Sequence, residues 1–86
     1  MINITDLKKK ILYRSTYRGT KEMDKLMTSF TKKYIDKLDL NDLLLLSDLL
    51  NIDDENLYKF NQGKKTTTKI KMNKISILFK EFIYEG

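Results

Sequence analysis

The spacing of apolar residues constrains this chain more than any other feature. Met23, Leu26, Met27, Phe30, Tyr34 and Leu38 recur at intervals of 3, 1, 3, 4 and 4 residues. That spacing draws one apolar stripe down one side of a helix with 3.6 residues per turn. Lys21, Lys25, Lys32 and Asp36 fall mostly elsewhere. Proline is absent, and apolar residues recur at 3, 4 and 7 rather than at 2. The pattern predicts an all-α protein, with its clearest helix over residues 20–37.

The flanking segments read the same way. Ile4, Leu7, Ile11 and Leu12 share a face in a first helix. Thr5 or Asp6 is the expected N-cap, because their side-chain oxygens accept from free backbone N–H groups. Gly19 is expected to close this helix in a left-handed conformation. Asp39 reads as the N-cap of a third helix, with Asp42 favoured at its positive end. Leucines at residues 43–46, 49 and 50 lie on nearly every side of it, which predicts a helix enclosed by its neighbours. Asp53 or Asp54 caps a fourth helix carrying Leu57, Tyr58 and Phe60, and Gly63 ends it. A polar connection over residues 64–69 leads to a last helix with Met72, Ile75, Leu78, Phe79, Phe82 and Ile83 as its apolar set. The expectation is a five-helix bundle forming a single domain over residues 1–86. A chain of 86 residues buries only about 60% of its unfolded surface. It has room for a docking surface and little room for a deep enclosed active site.

Composition narrows the chemistry. There is no cysteine and no histidine. Disulfides, thiolate metal sites, Ser-His-Asp triads and covalent cofactor attachment through His or Cys are therefore excluded. No resident metal or catalytic group is expected, and the carboxylates Asp53, Asp54 and Glu55 sit where a helix cap belongs. No apolar run approaches the ~20 residues that span a bilayer, so no membrane insertion is expected. The first twelve residues lack a signal-peptide core, and a reducing cytoplasm is the expected compartment.

Charge is uneven. Residues 1–35 carry net +6, residues 36–55 net −6 and residues 56–86 net +5. Arg14 and Arg18 are the only arginines among 17 basic residues. They lie four apart at the seam between the first two helices, beside Gly19, Glu22 and Asp24. A guanidinium presents a planar fork of donors that an ammonium does not. That makes the seam of Arg14, Arg18, Gly19, Glu22 and Asp24 the first place to look for a recognition site. Their reading as partner-binding residues, with Arg18 forking onto a carboxylate or carbonyl of the partner, is what the resemblance of this run to a known family implies. Glu22 would meet a partner's donor or hold Arg18 in place; alternatively the two simply pair on a helix surface, contributing ~0.3–0.5 kcal/mol. Gly19 closes the helix and admits a partner's backbone. Asp24 caps its helix or extends the contact surface. Tyr13 and Tyr17 flank the site, with Tyr13 expected to pack between helices.

These residues carry a family resemblance. The run Arg18-Gly19-Thr20-Lys21-Glu22 matches the Arg-Gly-x-x-Glu signature of the succinate dehydrogenase assembly factor 2 family, the flavinylation factors. Leu12-Tyr13-Arg14-Ser15, Met23-Asp24 and Phe30 extend the match. A second block follows in Leu49-Leu50, Asp53-Asp54, Leu57-Tyr58 and an aromatic three residues ahead of Gly63. The resemblance covers about residues 7–84. The chain departs from the family at Thr16-Tyr17, where a basic residue usually precedes the arginine. It departs again at Thr20 for Met, at Phe60 for Trp, and in lacking a later proline. The resemblance implies a small five-helix protein that binds the flavoprotein subunit of succinate dehydrogenase, or in bacteria also that of fumarate reductase. It implies promotion of covalent FAD attachment to a histidine of that subunit, with FAD belonging to the partner and none held stably here. A monomer acting by protein–protein contact is expected. The rival reading, a small basic helical nucleic-acid-binding module, rests on Lys8-Lys9-Lys10 and Lys64-Lys65. Scarce arginine, the acidic middle third and the lack of a recognition helix rich in Arg, Asn and Gln weigh against it.

Overall fold

A computed structural model describes residues 2–85. Over these residues the chain forms five α-helices in order: α1 (Ile4–Thr16), α2 (Lys21–Tyr34), α3 (Leu40–Leu49), α4 (Asp54–Asn61) and α5 (Lys74–Glu81). A 3-10 turn, Ile35–Lys37, continues α2. The stretch expected as one helix over residues 20–37 thus ends in a tightened last turn, a common way to satisfy terminal carbonyls.

Side-chain caps set most of the boundaries. Thr20 accepts from the Met23 N–H to start α2. Asp39 accepts from Asp42 N–H to start α3, and Asp53 from Asn56 N–H to start α4. For α1 the cap is Asn3, which accepts from Asp6 N–H, rather than Thr5 or Asp6. Asp6 instead lies in the first turn, where a negative charge faces the positive helix end. α5 opens on a reciprocal capping box between Asn73 and Ser76. α4 closes as expected at Gly63, with φ +73°. There the Lys64 N–H reaches Lys59 C=O at 2.8 Å and the Gly63 N–H reaches Phe60 C=O at 3.2 Å, the paired bonds of a Schellman closure.

The Asp53 cap carries a titration. Its carboxyl is held below the ordinary 3.8, first by the Asn56 side-chain amide and then by the Asn56 backbone N–H. A carboxyl depressed in the folded state stabilises above its unfolded value, and that contribution fades as pH falls through the folded value. Asp53→Asn keeps a capping oxygen and removes the charge. Its stability deficit against wild type should be present at roughly pH 5 and shrink by roughly pH 3, read from urea midpoints. A deficit independent of pH would rule the charge out.

The core is built where the helical stripes meet. α1 packs on α2 and α3, α3 on α5, and α4 on α5. Met23, Leu26, Met27 and Phe30, the predicted stripe of α2, are all buried. Phe30 is the hub of an aromatic cluster, with ring centroids 5.1 Å from Tyr34, 5.1 Å from Phe79 and 5.4 Å from Phe82. Ser15 and Thr31 are fully buried between α1 and α2. Their hydroxyls share a 2.7 Å hydrogen bond, and Ser15 also donates to Ile11 C=O. A buried hydroxyl is tolerated only when paired in this way.

Three expectations fail for identifiable reasons. α3 is not enclosed: Leu43, Leu46, Leu49 and Leu50 are buried, Leu45 is half-buried and Leu44 is exposed. Its main contacts are with α1 and α5, so one flank stays open. Met72 and Ile83 face solvent because they lie outside α5, where helical periodicity no longer assigns a face. Tyr13 does not pack between helices and is 67% exposed.

Candidate functional site

α1 ends at Thr16, with Tyr17 as its C-cap, three residues before Gly19. Gly19 is therefore the turning residue of the connection and not the residue that closes the helix. Its φ is +132°, a conformation that side-chain-bearing residues rarely adopt. A β-carbon at this position would have Asp54 Oδ2 as its nearest neighbour, at 3.6 Å, an ordinary contact. Backbone conformation, and not crowding, demands glycine here. Just before it, the Arg18 N–H donates to Asp24 Oδ1 at 2.6 Å. Asp24, in the first turn of α2, thus fastens the bend from the far side.

The Arg18 side chain turns inward. Nε donates to Asp54 Oδ1 at 2.8 Å, Nη1 to Leu50 C=O at 2.8 Å and Nη2 to Ile52 C=O at 2.7 Å. Only 10% of the side chain is exposed, against 25% for Asp54. Leu50 is the C-cap of α3, whose last turn holds no basic residue of its own. Terminal carbonyls of a helix lack partners and carry partial negative charge. Arg18 supplies both the donors and the charge from another part of the chain. Arg14 does related work one turn earlier, where its guanidinium donates to Ser47 Oγ and Asn51 Oδ1. The two arginines are struts from the α1–α2 region to the end of α3.

From the sequence, Arg18 is expected to offer its fork to a partner. The fork is filled by three acceptors of the α3–α4 turn. The expected Arg18–Glu22 pair is also absent, because the two residues do not share one continuous helix. Glu22 lies in the first turn of α2, exposed, and makes no hydrogen bond or ion pair among the described residues. Gly19 and Thr20 are exposed beside it in sequence. Before the bend in sequence, the rings of Tyr13 and Tyr17 lie 4.7 Å apart, the latter 69% exposed. Sequence reasoning missed Ser47, Asn51 and Asp54 as partners of the arginines. Separations of 33 to 37 residues leave no local spacing signal. The one available hint was that Asp54 stands in the second block of the family pattern.

The remaining charges join the acidic third to the basic flanks. Lys8 pairs with Asp36 at 3.5 Å and Lys74 with Asp42 at 2.9 Å. The Asp42 carboxylate, by accepting a hydrogen bond, raises the Lys74 pKa above 10.5. Asp53 caps α4, Asp54 holds Arg18 and Glu55 pairs with Lys59. Among the described residues no three His, Cys, Asp or Glu side chains gather as a metal site. No helix among them is long and apolar enough to cross a membrane.

The fold is that of a small all-α bundle, with a surface bend between α1 and α2 that is braced by Asp24 and by the α3–α4 turn. The family described as the flavinator of succinate dehydrogenase matches over residues 9–83, and this chain belongs to that family. No curated protein and no solved structure matches the chain.

Proposed function

We propose that this protein is a non-enzymatic assembly factor that binds the flavoprotein subunit of succinate dehydrogenase and promotes covalent attachment of FAD to it. The observation that carries this reading is the family match over residues 9–83, which spans the braced bend and the α3–α4 turn that braces it. The protein acts as a monomer in a reducing cytoplasm, and FAD stays with the partner. Its contact face is the outer side of the bend: Glu22 with its free carboxylate, Gly19, and the exposed Tyr13–Tyr17 pair. Asp24, Arg14 and Arg18 serve that face from behind by holding its backbone in shape. Attachment is then chemistry of the flavin and the partner's histidine, favoured because the partner is held in a receptive conformation.

The test is flavin fluorescence of the flavoprotein subunit in a denaturing gel, after incubation with FAD with and without this protein. Covalent flavin should rise with the protein present; equal signal would overturn the proposal. Tyr17→Ala removes an exposed ring with little packing to lose. Buried aromatic anchors at interfaces often carry about 2 kcal/mol or more, so the apparent affinity for the flavoprotein should fall at least about tenfold. Thermal melting should not change. Unaltered affinity would place the contact face elsewhere.

A further inference from the structure

Glu22 also lines a groove of about 610 Å³ between α2, α4 and the chain that follows α5. Tyr58, Ile83 and Tyr84 line it as well, and all three are large side chains left exposed. The tail that forms one wall is held in place: Asn61 Nδ2 donates to both Phe79 C=O and Phe82 C=O at 2.8 Å. The wall is therefore built into the folded chain. Lys25 and Lys80 are the basic residues of the lining. Among the described residues neither ammonium is in an ion pair. Lys80 lies 5.8 Å from the centre of the Phe60 ring.

We infer that this groove is a second docking surface for the flavoprotein subunit, and that it takes an extended segment carrying an apolar anchor flanked by a carboxylate. The inference rests on the function proposed above and adds to it a location and a chemistry. Exposed tyrosine and aliphatic side chains around a concavity provide a place to bury an anchor. Two unpaired lysines against a single carboxylate leave the lining net positive, which favours an acidic segment and speeds its capture. Glu22 belongs to both surfaces, so the groove extends the outer side of the bend into one continuous face.

The test measures binding of the full-length protein to the purified flavoprotein subunit by titration calorimetry, at low and moderate salt. Ile83→Asp and the double variant Lys25→Glu/Lys80→Glu are compared with Lys65→Glu, a control that reverses a lysine outside the groove. The groove variants should bind at least about tenfold more weakly, and the lysine pair should flatten the salt dependence. The control should bind as wild type does. Circular dichroism checks folding; Ile83 is 77% exposed, so its replacement leaves the core untouched. Wild-type-like binding by both groove variants would overturn the groove while leaving the proposed function standing. Failure of the wild type itself to bind the flavoprotein would overturn both. Self-association of wild type that Ile83→Asp abolishes would assign the groove to a second copy of this chain and overturn the inference.

Discussion

Arg18→Ala should remove a large share of this protein's stability. The substitution deletes three charge-assisted donors at once and leaves Asp54, Leu50 C=O and Ile52 C=O without them. Removing one partner of a buried ion pair costs about 3–5 kcal/mol. Here Asp54 is a quarter exposed and regains some water, so about 3 kcal/mol is the better figure. Small domains have only about 5–15 kcal/mol in total, with the shortest chains near the bottom. The measurement is a urea titration followed by helical circular dichroism, and a midpoint equal to wild type would sink the strut assignment. Arg18→Lys keeps the charge but not the planar fork, and should fall between wild type and Arg18→Ala. Asp54→Ala should cost less than Arg18→Ala, since two carbonyl acceptors remain for the guanidinium. The comparison also separates roles in flavinylation. If Arg18 works only from inside, Asp54→Ala lowers stimulation alongside Arg18→Ala. A guanidinium that met the partner directly would instead be released by Asp54→Ala, and stimulation would hold or rise.

Phe30→Ala should be comparably severe for a different reason. Phe30 is 1% exposed and touches three other aromatic rings drawn from α2, α5 and the segment after α5. Truncating a buried phenylalanine costs about 3–5 kcal/mol through lost transfer energy and the cavity left behind. Leu44→Ala is the control. It removes a large apolar side chain from the open flank of α3, where surface changes usually stay within about 0.5 kcal/mol. If the two variants melted together, the aromatic hub would not be the centre of the core.

Local rules determined the helices and their starts. The 3- and 4-residue apolar spacing of α2 needed no tertiary information, nor did the caps at Asp39 and Asp53 or the closure at Gly63, because each depends on residues within one or two turns of one another. The same local logic misread Gly19, which turns the chain three residues beyond the helix end. It also left α3 looking enclosed, since leucines all round a helix do not say which flank has a neighbour.

The functional site divides along the same line. Sequence alone singled out the neighbourhood of Arg14, Arg18, Gly19, Glu22 and Asp24, since two guanidiniums in a lysine-rich chain are conspicuous and the signature lies there. Only the tertiary structure decided which of them turn inward and which stay exposed. A guanidinium goes where its planar donors find the most acceptors, and those acceptors are Leu50 C=O, Ile52 C=O and Asp54, brought up by a turn more than thirty residues away. Helix ends create that demand wherever the fold happens to place them, so the inward direction of Arg18 and the outward direction of Glu22 became fixed only when α3 and α4 packed against the bend.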